Sequence, residues 1–201
     1  MRKSSAIVFA NLCVIGSIFS STAAFAIGGS QAQIQNYETP GNLESKHDLD
    51  CISLDAAKPA YNPVDLYKGV ARCVAAKRFD DGVVLFMLAG VYGRYDMERV
   101  ADGTAHQAVT VARMTYLGEV SAADSKQFSD AAARLMANKE LHKQVCTTIR
   151  LIGPPSYYPR YMVQHGMGAF MGGSGNGLVD NFDSKAAFEN AMKSYLHCEP
   201  S

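Results

Sequence analysis

Val83-Val84-Leu85-Phe86-Met87-Leu88-Ala89 is apolar at every position. Wound into a helix, such a run has no polar face. It must be covered on all sides by other helices, at the centre of a bundle. The flanks supply those neighbours. Upstream, Asn62-Pro63 reads as an N-cap followed by proline at the first helical position. Leu66, Val70, Cys73, Val74 and Lys77 then share one face, and Phe79 to Gly82 form a short connection. Downstream, Tyr92 to Tyr95 read as a bend, with Asp96 capping a helix that carries Met97, Val100, Ala101, Ala108, Val111, Ala112 and Leu117. Gly103 weakens the middle of that helix by up to about 1 kcal/mol.

The remaining chain continues in the same period. Ser121 and Asp124 resemble a capping box before Phe128, Ala132, Leu135 and Met136. Asn138 opens a helix with Leu141, Val145, Ile149 and Ile152 inward, and Gly153-Pro154-Pro155 stops it. Pro159 starts another helix, to about Phe170, before a glycine loop at 172–177. A last helix begins near Asp183 or Ser184 and carries Phe188, Met192, Tyr195 and Leu196. No alternating strand pattern occurs. The fold class is all-α: a compact bundle of about seven antiparallel helices joined by short turns.

Leu66, Cys73, Phe79, Gly82, Phe86 and Ala89 carry a resemblance. They fall at the large, medium, aromatic, small, aromatic and small positions of one helical hairpin. Residues 66–94 thus resemble a tetratricopeptide or Sel1-like hairpin, without the terminal proline at Arg94. The resemblance implies two packed helices and a concave face that binds protein or peptide. A repeat array needs about three such units, and no second clear copy follows.

The chain opens with Arg2 and Lys3, an apolar run from Ala6 to about Phe19, and the small-residue site Ala24-Phe25-Ala26. That is the pattern of a secretory signal peptide, cleaved after Ala26. An uncleaved anchor is the competing reading, but the run is short of the roughly 20 apolar residues a bilayer requires. Leu12 precedes Cys13, where lipidation needs a small residue, so Cys13 leaves with the peptide. Residues 27–50, with Gly28-Gly29-Ser30 and Pro40-Gly41, read as a flexible leader pinned at Cys51. Residues 51–201 form one helical domain. The expected location is periplasmic or secreted, with no stable membrane anchor after cleavage.

Four cysteines remain after cleavage: Cys51, Cys73, Cys146 and Cys198. An even number in an exported chain points to disulfides, here two, against the alternative of buried free thiols. Four cysteines allow three pairings. Cys51–Cys73 and Cys146–Cys198 are favoured because each joins sequence neighbours. Lys plus Arg and Asp plus Glu balance at 19 each, and loss of Arg2 and Lys3 leaves a small acidic excess. No basic run appears, so nucleic acid is not an expected partner.

The most unusual stretch is GPPSYYPRYMVQHGMGAFMGG, residues 153–173. Tyrosine offers a rigid amphipathic ring and methionine an adaptable thioether, both favoured at binding surfaces. Tyr157, Tyr158, Arg160, Tyr161, Gln164, His165, Met167 and Phe170 are therefore the candidate binding surface. The competing reading packs these aromatics into the core, with Gly166 and Gly168 admitting a close neighbour. His106, near Asp102 and Thr104, or His165 could act as general base in a small hydrolase. No G-x-S-x-G elbow accompanies them. His142 and Cys146 share a helix face at metal-edge spacing. Cys146 is more simply a disulfide partner, so no metal and no cofactor is expected. The glycine loop lacks the Lys-Ser/Thr of a phosphate-binding loop. The expected function is a non-catalytic exported protein that binds another protein, as an envelope adaptor or as a neutraliser of a toxin or hydrolase. The alternative is the hydrolase using His106 or His165.

Overall fold

A computed structural model describes residues 39–172 and 175–200. The signal peptide read at 1–26, residues 27–38 of the leader, and Gly173 and Ser174 of the glycine loop lie outside the described residues. Asn62 and Pro63 do start the first helix, α1 (Pro63–Ala75). The Asn62 side chain accepts from the Asp65 amide, and the Asp65 carboxylate accepts from the Asn62 amide, which closes a capping box. Ala76 to Arg78 turn the chain into α2 (Phe79–Arg99), which packs against α1 as a hairpin. The apolar run sits where expected: Val83, Leu85, Leu88 and Ala89 are buried, with α1, α4 and α8 around them.

The expected bend at Tyr92–Tyr95 is absent. Instead α2 continues to Arg99. Glycine in a helix costs about 1 kcal/mol against alanine, and packing outweighs that cost here. A Cβ at Gly90 would lie 2.1 Å from the Tyr195 ring, so glycine is what lets α8 lie against α2. Asp96 is consequently no cap. It lies in the last turn of α2 and is fully buried. The expected helix after Asp96 begins later: a 3-10 turn at Gly103–Gln107 leads into α3 (Ala108–Leu117).

The next two helices start where their caps predict. Ser121 accepts from the Asp124 amide at the start of α4 (Ala122–Ala137), and Asn138 from the amides of Glu140 and Leu141 at the start of α5 (Lys139–Ile152). Met136 and Leu141 are half-exposed rather than inward. The single helix expected from Pro159 is two one-turn pieces, α6 (Arg160–Val163) and α7 (Met167–Phe170). Asp183 caps α8 (Ser184–Leu196). Among the described residues the architecture is all-α, with one isolated antiparallel bridge between Val100 and Leu178.

Cys51 pairs with Cys73 and Cys146 with Cys198, the favoured pairing. No described helix is long and apolar enough to cross a membrane.

Residues 39–50, the described part of the expected leader, are organised by a buried charge. The fully buried Asp65 carboxylate accepts from the Ser45 hydroxyl at 2.8 Å, the Lys46 amide at 2.7 Å and the His47 amide at 2.9 Å. His47 Nδ1 lies 2.9 Å from its other oxygen. Leu49 is buried, and Arg72 donates to its carbonyl at 3.0 Å. Residues 39–50 thus form a strap along the bundle, held well before Cys51.

Candidate functional site

Three anchors position the segment 153–170, and each starts from a polar residue on a neighbouring element. The first is Asp96. Its Oδ2 accepts from the Tyr157 hydroxyl at 2.9 Å and the Tyr161 hydroxyl at 2.8 Å. Its Oδ1 accepts from Arg99 Nε at 2.8 Å, and Arg99 Nη2 sits 2.7 Å from the same oxygen, off the line of a good hydrogen bond. The Arg99 guanidinium lies between the rings of Tyr95 and Tyr157, 5.0 and 5.1 Å from their centroids. Burial pushes the Asp96 carboxyl upward, against the pull of Arg99 and the two hydroxyls. Burial also holds the Tyr157 and Tyr161 phenols well above their usual range, so both stay protonated donors.

The second anchor is Asp102, which caps the 3-10 turn. Its Oδ1 accepts from the Thr104 amide at 2.9 Å and hydroxyl at 2.6 Å; its Oδ2 accepts from the Gly168 amide at 2.8 Å. Thr104 Oγ1 in turn accepts from the Met167 amide at 2.9 Å. A Cβ at Gly166 would sit 2.4 Å from Asp102 Oδ2, so only glycine admits the carboxylate there. The Thr104 hydroxyl and the Gly168 amide hold the Asp102 carboxyl below its ordinary value.

The strap is the third anchor. Thr39 donates through its hydroxyl to the Gln164 carbonyl, and the Leu43 amide donates to the Tyr161 carbonyl at 3.1 Å. His165 Nδ1 lies 2.8 Å from Asn42 Oδ1, and Arg160 donates to the Pro40 carbonyl at 3.2 Å.

These anchors divide the sequence-predicted surface in two. Tyr161 is 1% exposed, so it belongs to the core and cannot be part of a binding surface. Tyr157 points its hydroxyl inward to Asp96, and Gln164 and His165 are half-buried under the strap. Tyr157 is turned inward by Asp96 and His165 meets Asn42, while Gln164 meets the strap through its backbone carbonyl. Tyr158 at 45%, Met167 at 58%, Phe170 at 47% and Met171 at 81% face outward, with Arg160 also exposed. The segment therefore has one side packed into the core and one side facing solvent.

Beside the outward residues lies a hollow of about 240 Å³, lined by Val100, Asp102, Tyr158, Val163, Gln164 and Ala169 among others. Gly175 and Gly177 form part of its wall. The Tyr158 hydroxyl donates to the Asn176 carbonyl at 2.7 Å, and the Ala101 amide to the Gly177 carbonyl at 3.0 Å. A larger groove of about 640 Å³ runs between α2, α4 and α5, lined by Val84, Leu135, Leu141 and Val145 with Asp80 and Arg134. The half-exposed Leu141 belongs to it.

The histidines have quiet partners. His106 Nε2 lies 3.1 Å from the Val100 carbonyl, and His165 meets Asn42. Burial lowers the His165 imidazole. In both cases the partner is a carbonyl or carboxamide oxygen. His142 Nε2 lies 2.8 Å from the Leu196 carbonyl, and its potential ligand atom sits within 4.8 Å of those of Cys146 and Cys198. Both sulfurs are in the disulfide and offer no thiolate.

Comparison with protein-family models, with curated proteins and with solved structures found no match. Residues 66–94 lie within the hairpin of α1 and α2, with Gly82 admitting Cys73 at close range.

Sequence reading missed Asp65, Asp96 and Asp102 as anchors. Asp96 carried one usable signal: Asp96 and Arg99 are one turn apart, beside apolar residues that would bury an ion pair.

Proposed function

We propose that this chain is an exported, non-catalytic helical protein whose outer face around Tyr158, Met167, Phe170 and Met171 binds another protein. One observation supports this reading most: these exposed apolar side chains sit on a backbone fixed by Asp96, Asp102 and the strap. Binding surfaces lose free energy when loops must be ordered on contact, and a surface held in place beforehand avoids that loss. Aromatic and methionine side chains are enriched in such contacts. The two disulfides suit export to an oxidising compartment. An envelope adaptor, or a neutraliser of a toxin or hydrolase reaching the same compartment, fits this surface.

The test is capture from a native envelope extract under oxidising conditions. The intact protein should recover one stoichiometric partner. Met167→Ser with Met171→Ser should reduce capture by about tenfold or more, the effect of losing roughly 1.4 kcal/mol. Unchanged thermal unfolding would confirm that the variant remains folded. Equal capture by the variant, or no stoichiometric partner, would overturn the reading.

A further inference from the structure

The hollow beside Tyr158 has features that the apolar face does not explain. At about 240 Å³ it falls below the range of about 300 to 1,000 Å³ typical of small-molecule sites. It has room for a single long side chain. Val100, Val163, Ala169 and the Tyr158 ring give it apolar walls. Among the described residues lining it, Asp102 alone carries charge. The carboxylate does not move freely: Thr104 occupies one oxygen, and the Gly168 amide takes a single position on the other. The wall made by Gly175 and Gly177 is tied down through Tyr158, Asn176 and Ala101.

We infer that this hollow receives a basic side chain, arginine or lysine, from the bound protein. The aliphatic stem lies along Val100, Val163 and Ala169, and the cationic head meets Asp102. Apolar walls with one fixed anion match that side chain in both parts, since long cationic residues bury their stems and keep a charged head. An acidic side chain would be repelled by Asp102, and a purely apolar one would displace water from the carboxylate without supplying a countercharge. The inference rests on the protein-binding reading, and it adds what the partner must present: a protruding basic residue flanked by apolar surface that meets Met167 and Met171.

The experiment titrates the intact oxidised protein with N-acetyl-arginine methylamide and follows backbone amides by NMR. The neutral urea isostere, N-acetyl-citrulline methylamide, is the control. Saturable shifts are expected at Ala101, Gly168, Ala169 and Gly177, with the citrulline compound weaker by about tenfold, as for loss of one charged hydrogen bond. Asp102→Asn should abolish the preference. Because that change also touches the Gly168 clamp, Ala169→Leu serves as a second variant that fills the hollow and leaves the clamp intact. It should stop binding. Equal binding of the two probes, shifts elsewhere, or undiminished binding to Ala169→Leu would overturn the inference. So would full capture of the envelope partner by Ala169→Leu, in which case the partner reading stands and the hollow has no part in it.

Discussion

Asp96 and Asp102 lie six positions apart, and their surroundings give them opposite roles. Asp96 is fully buried, paired with Arg99 and bonded to two phenols. Its charge matters because Arg99 is also buried. Asp96→Asn keeps the shape and leaves an uncompensated guanidinium, which costs about 3 to 5 kcal/mol in buried pairs. Urea unfolding should show a loss of that size, with Tyr157 and Tyr161 loosened; a loss under about 1 kcal/mol would mean the pair is dispensable. Asp102 stays close to solvent, and its carboxyl is held below the ordinary value of 3.8 by Thr104 and Gly168. The folded state thus favours the ionised form. Its contribution is present above that value and is lost as pH falls through the lower folded midpoint. The Gly168 amide signal should therefore titrate with a midpoint below 3.8. A midpoint at or above that value would show that the clamp does not favour the charge.

The elements divide into a firm centre and tied ends. α2 is covered by α1, α4 and α8, whereas the strap is tied through hydrogen bonds to Asp65 and to the 160–165 segment, and the residues after α8 through the Cys146–Cys198 disulfide. The disulfides close loops spanning 22 and 52 positions, worth about 3 to 4 kcal/mol each in the chain-entropy picture. Reduction should lower hydrogen-exchange protection first near Cys198 and around Cys51, while Val83 to Tyr92 keep theirs. Strap residues 45–47 should respond less than Cys51, because Asp65 holds them independently. Uniform loss of protection through α2 would contradict this order. The element that sequence reading placed best was the one with the strongest local signals: α1, with its cap and proline, followed by the apolar run of α2. α6 and α7 were read as one helix because Pro159 and the apolar residues after it fit a helical start. The Asp102 contact at Gly166 and Gly168, which splits them, comes from another part of the chain.

For the molecule as a whole, local chemistry settled the class and the staples. Apolar periodicity, N-caps at Asn62, Ser121, Asn138 and Asp183, and the short sequence spacing of the cysteines pointed to an all-α bundle with the observed pairing. These are effects within a few residues, or between neighbours in the chain, so one sequence carries them. Only the tertiary structure decided which side of the 153–170 segment faces out. Tyr157, Tyr158 and Tyr161 are the same residue type in one short run, and their fates differ because Asp96, 61 and 65 positions earlier, accepts from two of them. Likewise the strap looks like a loose leader until a buried carboxylate on α1 offers it acceptors. Buried polar groups must find partners, and those partners are chosen by proximity in space. Local sequence patterns do not encode that proximity; it exists only once the helices have packed.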